Sequence, residues 1–384
     1  MASTSPVASV PTQVPPQFRY KRLYSFPYPI SQDSTVPVAV PIELTKYAQT
    51  DYFARLFVQI TGTVTVTGIS GDAGTAIGFE NPEALLVSAL LQTTPQLNGV
   101  TPVNQLSARG LLVDAMFQRG YMKRSQTPVL DIGKTQVVNT YPYPGASPSQ
   151  TTLTGVTATP QPVNVLYEIY FKRPFARKGA EYDHAIAKYS SDLLTLQFGG
   201  SNQLWAGSTN TFNFGGLTVS IFTDSDLNMN VSRIHNNELF ERTYPITASQ
   251  TDFPIDTLPQ GYLYSDLFFL FELNNVLSNA GITNIDIEGG GRVWLPQGDN
   301  NATVLQQIDQ YRSIITDPNF NNTGIYPINL RDGMFTKGMD SLSSPLSLKL
   351  SVTFTSGATN LVRLVGRRMV PGEPTHSNPR LRTK

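Results

Sequence analysis

The sequence predicts an all-β protein made of two sandwiches in tandem, and three observations carry that prediction. Charged residues fill only 15% of the 384 positions, while 29 glycines and 28 prolines punctuate the chain; an average domain is about one-quarter charged. Few charges, many β-branched and aromatic residues and frequent turn formers describe many short strands. The second observation is period-two alternation. It is cleanest at 346–354, where Leu346, Leu348, Leu350, Val352 and Phe354 alternate with Ser347, Lys349, Ser351 and Thr353. The third is the stretch 163–198, where two strand-like runs, 165–171 and 193–198, flank a helix-like run at 181–190. The first of these strands reads as the close of one unit and the second as the opening of another. At this length each unit can bury its own core.

Residues 1–45 read as an N-terminal arm. Positions 1–18 are rich in Ser, Pro and Val without periodicity. Arg19, Lys21 and Arg22 then cluster among Tyr20, Tyr24 and Phe26. Such an arm either orders on its own domain or reaches a neighbouring subunit. The first unit, 46–178, opens with Leu56, Val58, Ile60, Val64 and Val66 on one parity and Thr61, Thr63, Thr65 and Thr67 on the other. That is a half-buried strand with a threonine outer face. The apolar run 84–91 reads as a strand, with a helical turn as the alternative. Leu111, Leu112, Ala115, Met116 and Arg119 fall at helical spacing between Gly110 and Gly120, which predicts a short amphipathic helix. Residues 125–162, dominated by Thr, Pro, Gly, Ser and Gln, read as a long surface loop. Val165, Tyr167, Ile169 and Phe171 close the unit.

Tyr182, Ala185, Ile186 and Tyr189 stand at i, i+3, i+4, i+7 and predict a linking helix within 179–192, with one apolar stripe to dock against both sandwiches. The second unit, 193–370, opens with Leu194, Leu196 and Phe198 and continues through Leu217, Val219 and Ile221. Residues 235–262 read as mostly loop. Strands follow at 267–273 and 282–295, with Gly289, Gly290 and Gly291 as a bulge or bend. Val304, Leu305, Ile308, Tyr311 and Ile315 predict a second amphipathic helix. The alternating run and a last strand at 361–365 close the unit, and 371–384 is a basic, irregular tail. Each half repeats one order: strands, one helix, a long loop, a closing strand. No residue-level identity accompanies the repeat.

The chemistry the sequence can carry is narrow. Formal net charge is zero, so the chain lacks the surplus of Lys and Arg that coating nucleic acid requires. There is no cysteine, which removes disulfides, thiolate metal sites and cysteine nucleophiles and fits a reducing compartment. The first residues lack a basic and an apolar region, so no secretory signal is expected. The longest apolar run, 262–273, is interrupted by Asp266 and Glu272 and falls short of the ~20 residues of a membrane span. His184, His235 and His376 are far apart in sequence, without metal-ligand spacing. No nucleophile-elbow or phosphate-loop motif is present. No cofactor and no metal are expected.

Two acidic pairs are the only enzyme-like features. Asp224 and Asp226 follow a strand, and Asp286 and Glu288 share a strand face. Paired carboxylates about 5–9 Å apart serve glycoside hydrolysis, so a carbohydrate-active or carbohydrate-binding sandwich is the rival reading, with a receptor-binding spike as a third. Against a sugar cleft, Trp205 and Trp294 are the only tryptophans. The basic ends offer another kind of site. Arg367, Arg368, Arg380, Arg382 and Lys384 stand against a single acid, Glu373, near the C-terminus. With Arg19, Lys21 and Arg22 they are the candidate contacts to an anionic surface, either lipid headgroups or a partner subunit.

Four places carry a resemblance to a known family. They are ARLFVQITGTVTVTG followed by FENPEALLVSALL, the helix LLVDAMFQRG after Asn98-Gly99, the join VLYEIYFKRPFA leading to DLLTLQF, and DTLPQGYLYSDLFFLFELNN. In this order they resemble the double jelly-roll major capsid proteins of tailless icosahedral viruses, the adenovirus–tectivirus lineage, and within it the bacteriophage members. The resemblance implies two jelly rolls side by side and a homotrimer of pseudo-sixfold outline. It implies neighbouring capsomers and penton or minor capsid proteins as partners, and an internal viral membrane facing inward-pointing termini. A genome held inside lipid needs no cationic coat, so no direct stoichiometric nucleic-acid binding is implied. Nor is any catalytic residue. The implied location is the virion, after synthesis in the host cytoplasm.

Overall fold

The computed structural model describes residues 18–31, 36–47, 52–67, 77–78, 85–95, 101–121, 131–132, 152–153, 161–171, 184–185, 189–199, 211–226, 236–258, 262–273, 276–279, 281–289, 292–295, 324–329, 339–340, 346–353 and 360–370. In chain order the elements begin with β1 (Phe18–Pro27), β2 (Val38–Glu43), a 3-10 turn (Leu44–Lys46), β3 (Tyr52–Thr67), β4 (Ile77–Gly78), β5 (Leu86–Pro95) and β6 (Thr101–Ser107). Then come α1 (Ala108–Tyr121), β7 (Asp131–Ile132), β8 (Thr152–Leu153), β9 (Gln161–Tyr170), β10 (His184–Ala185), β11 (Tyr189–Phe198) and β12 (Thr211–Asp226). The rest is β13 (Asn236–Ile246), β14 (Gln250–Leu258), β15 (Leu263–Leu273), β16 (Val276–Leu277), β17 (Ile282–Gly289), β18 (Arg292–Leu295), β19 (Ile325–Asn329), β20 (Met339–Asp340), β21 (Leu346–Val352) and β22 (Asn360–Val370).

The first sandwich opposes a sheet ordered β1-β12-β3-β9-β7 to strands ordered β6-β5-β11-β2, and β10 adds to β3. Its core takes Leu56, Val58 and Ile60 from β3, Tyr167 and Ile169 from β9, and Val219 and Ile221 from β12. Ala89, Leu91, Leu194, Leu196 and Ile42 face them. The parity read from the sequence for β3 is the one that packs, and Thr63 on the other face is exposed. Between Asn213 and Gly216 the β12–β3 register shifts. There Gly62 has φ 137°, and a Cβ on it would lie 1.9 Å from the Gly216 carbonyl oxygen. Only glycine permits so close a backbone approach.

The second sandwich opposes β16-β15-β22-β13 to β14-β21-β17-β18. Ile285, Ile287, Leu348, Val352, Phe269 and Leu364 fill it. Along the far side of β15 the short strands β20, β19 and β16 pair in succession, so that edge is covered. The two halves meet where β6 pairs in parallel with β13, Asn104 opposite Leu239 and Gln105 opposite Phe240. That pairing fuses strands of both sandwiches into one 10-stranded sheet.

Three expectations are corrected. In place of a linking helix, His184–Ala185 is a strand on Phe53 and Tyr52 of β3, and Tyr189 already begins β11. The Glu43 carboxylate fixes that start by accepting the Asp192 N–H (2.8 Å) and the Ser191 hydroxyl (2.7 Å). Sheet edges offered the backbone partners that a local 3.6-residue period could not outweigh. Second, the run 193–198 does not open the second sandwich: β11 pairs with β2 and β5, and β12 with β3 and β1. The pairing changes over between β12 and β13, not at residue 193. Third, residues 235–262 contain β13 and β14 rather than mostly loop. Pro245 and Pro254 and the charges of β13 hide both strands in the sequence.

α1 forms as expected but starts two residues before Gly110, which lies inside it. Within 125–162 the described pieces are the short strands β7 and β8 and the start of β9. The predicted helix on Val304–Ile315 positions lies outside the described residues.

Candidate functional site

The site with the densest chemistry is a charged seam, where α1 of the first sandwich lies against β13, β15 and β22 of the second. Two of these strands, β15 and β22, are buried on both faces. On β22, Val362 and Leu364 belong to the second core while Val365 belongs to the first. On β15, Leu267, Phe269 and Phe271 face the second core, and Phe268 and Leu270 the first. Two-faced burial explains the near-continuous apolar run at 267–273. The charges sit on the α1 side of this shared layer.

Ser107 caps α1, its hydroxyl accepting the Gly110 N–H at 3.1 Å. Glu241 of β13 reaches the same helix end and accepts the Ser107 N–H at 2.7 Å. A carboxylate there complements the positive end of the helix dipole. Gly110 makes room for it, since a Cβ at that position would lie 2.5 Å from Glu241 Oε2. Arg363 of β22 donates to Glu241 and, through Nε, to Glu272 of β15 at 2.9 Å. Arg109 of α1 donates to the same Glu272 oxygen at 2.9 Å. Burial would raise the Glu272 carboxyl, but Arg109 and Arg363 outweigh it and hold it below its ordinary value.

One turn further along, Arg367 of β22 is wholly buried. It donates to Asp114 of α1 at 2.8 Å and to the Tyr170 carbonyl of β9 at 2.8 Å. Asp266 stands directly across from it on β15. Tyr170 extends the network outward, for its ring lies 5.5 Å from the guanidinium of Arg55, which binds Asp224 at 2.5 Å. On the opposite face of β22, Arg368 binds Glu238 at 2.7 Å and sits over the rings of Tyr262 (4.0 Å) and Phe240 (5.3 Å). Desolvation pushes the Glu238 carboxyl up despite Arg368.

Among the described residues, the basic side chains singled out in the sequence do not form one patch. Arg367 is a correction: it is an internal tie between the sandwiches, not a surface contact, because β22 is covered on that face by α1. Arg368 is half-buried in its ring cage. Arg19, Lys21 and Arg22 lie on β1 opposite Ser225, Thr223 and Phe222. Lys21 donates to the Tyr47 carbonyl at 3.1 Å, and Arg22 is exposed. Arg380, Arg382 and Lys384 lie outside the described residues. Sequence reading missed Asp114, Glu241, Glu272, Arg109 and Arg363. The signal was there in charged residues placed inside otherwise apolar strands, as with Glu272 in LFFLFEL and Arg363 in LVRLV.

Of the two acidic pairs, one member each is described at side-chain level. Asp224 is held by Arg55. Asp286 is buried, accepts from Asn284 at 3.2 Å and stands opposite Lys349. Among the described residues no group of three His, Asp or Glu side chains is placed to hold a metal ion.

No family model and no curated protein matches the sequence. Solved structures do match. The atomic structure of Sulfolobus Turreted Icosahedral Virus superposes with a TM-score of 0.59 at 13% identity, covering 92% of this chain and 91% of that one. The major capsid protein P2 of bacteriophage PM2 gives 0.51 at 10% identity, covering 92% and 98%. The PBCV-1 virus capsid gives 0.51 at 11% identity, covering 97% of both chains. Identities this low speak to the fold, and they do so over nearly the whole length: the chain has the double jelly-roll fold of viral major capsid proteins.

Proposed function

We propose that this chain is the major capsid protein of a tailless icosahedral virus, a bacteriophage by its sequence resemblance. Three copies form a pseudo-hexagonal homotrimer that tiles the virion shell beside neighbouring capsomers and penton or minor proteins. The observation that carries this reading is the fusion of two jelly rolls into one block by a shared sheet and a buried charged seam. Two similar lobes held at a fixed angle give each subunit two of the six corners of a tile. The role is structural and non-enzymatic. An internal membrane beneath the shell is part of the proposal, with the cationic N-terminal strand and C-terminal tail facing it. Among the described residues no helix is long and apolar enough to cross a membrane.

The test is the solution mass of the purified chain by light scattering. A closed threefold assembly of the 42.1 kDa chain has a mass of about 126 kDa. A monomer at every concentration overturns the reading.

A further inference from the structure

The second sandwich repeats the first strand for strand. In the first, β1, β12, β3 and β9 form one sheet and β2, β11, β5 and β6 line up opposite it. In the second, β13, β22, β15 and β19 hold the places of β1, β12, β3 and β9. There β14, β21, β17 and β18 hold those of β2, β11, β5 and β6. All of these pairings are antiparallel, and the matched strands follow the same chain order. The β6–β13 contact differs. It is the one parallel pairing among the described strands, with Asn104 opposite Leu239 and Gln105 opposite Phe240. It sets the last strand of a sheet in one sandwich against the first strand of a sheet in the next. A two-residue hairpin joins only antiparallel strands, so this contact is a joint between units.

The same two kinds of edge occur once more with no second strand beside them. Among the described residues β18 (Arg292–Leu295) pairs only with β17, and β1 (Phe18–Pro27) only with β12. β18 holds the place of β6, and β1 that of β13. An open strand edge is a template for another chain. The charges of β1 do not bar such pairing, since β13 carries Glu238, Glu241 and Arg242 and is paired.

We propose that β18 of one copy pairs in parallel with β1 of the next, repeating between chains the joint that β6 and β13 make within one. The occupant of each open edge is a second copy of this chain. A different surface is used on each side, so the contact is heterologous and copies join head to tail. Such a joint closes into a ring when its rotation divides a full turn, and otherwise grows into an open filament. Six lobes related by one kind of step, three inside chains and three between them, close as three copies. The inference rests on the proposed tile and names the strands that assemble it. The joint is made by backbone and draws on none of the basic side chains of β1.

The sequence contains no cysteine, so introduced thiols report the joint without background. Val293→Cys or Trp294→Cys in β18 is combined in turn with Arg22→Cys, Tyr24→Cys, Ser25→Cys or Phe26→Cys in β1. Consecutive positions sample both faces of a strand, and a disulfide needs Cα atoms about 4.4–6.8 Å apart. The within-chain pair Gln105→Cys with Phe240→Cys, whose register is known, sets the oxidation conditions. Each full-length variant is oxidised, run on non-reducing gels and weighed by light scattering. The joint predicts that at least one combination shifts the 42.1 kDa chain to a covalent ring of about 126 kDa, while its single-cysteine parents do not shift. A particle of three-chain mass in which no combination links overturns the proposal and leaves the tile standing. Covalent dimers from a single-cysteine parent show like edges meeting and overturn it as well. A monomer at every concentration overturns the tile and the joint together.

Discussion

Replacing Arg367 with alanine isolates the energetics of the seam. In the folded chain its guanidinium has no solvent exposure and Asp114 is 2% exposed, so neither partner can turn to water when the other is removed. Arg367→Ala leaves the Asp114 carboxylate buried without its guanidinium partner and removes the Arg367 donor from the Tyr170 carbonyl. Breaking a buried pair from one side costs about 3–5 kcal/mol. Removing both partners is a different perturbation. Arg367→Met with Asp114→Leu strands no charge and should fall within about 1–2 kcal/mol of the parent. Urea unfolding, read by both tyrosine fluorescence and circular dichroism, measures the two variants. The contrast between single and double replacement is the prediction. A loss below about 1 kcal/mol for Arg367→Ala, the size of an exposed pair, would mean that water reaches the seam and would refute the reasoning.

Gly62→Ala should lose about 1–3 kcal/mol by the same measurement, because its φ of 137° and the Gly216 carbonyl 1.9 Å from a Cβ leave no relaxed position; a change under about 0.5 kcal/mol would show that the β12–β3 bulge is pliable. Asp286→Ala with Glu288→Ala should leave the solution mass of the assembly unchanged, since neither acid is assigned to a contact between subunits, whereas loss of a measured glycoside hydrolase activity would revive the carbohydrate reading.

Much of the fold was legible because its cores follow simple periods. Leu56, Val58 and Ile60, and Leu348 and Val352, are read from alternation alone and are buried as read. The helix on Leu111 and Ala115 was legible for the same reason. What the sequence hid was hidden by tertiary pairing. Tyr189 lies at helical spacing from Tyr182 and Ala185, yet it begins a strand that β2 and β5 receive on either side. β13 carries Glu238, Glu241 and Arg242 where a one-sided strand would carry apolar residues, because two of these meet arginines from a strand more than a hundred residues away. A charge in an apolar run signals a buried partner, but its identity comes only with the fold. The two sandwiches are joined by the β6–β13 pairing and the ties to α1 rather than by the expected linking helix.

The most direct test of the tile is electron microscopy of the purified full-length chain. The account predicts class averages with threefold symmetry and a hexagonal outline, each subunit supplying two lobes at one fixed angle. Isolated two-lobed particles with a variable angle between the lobes would contradict it.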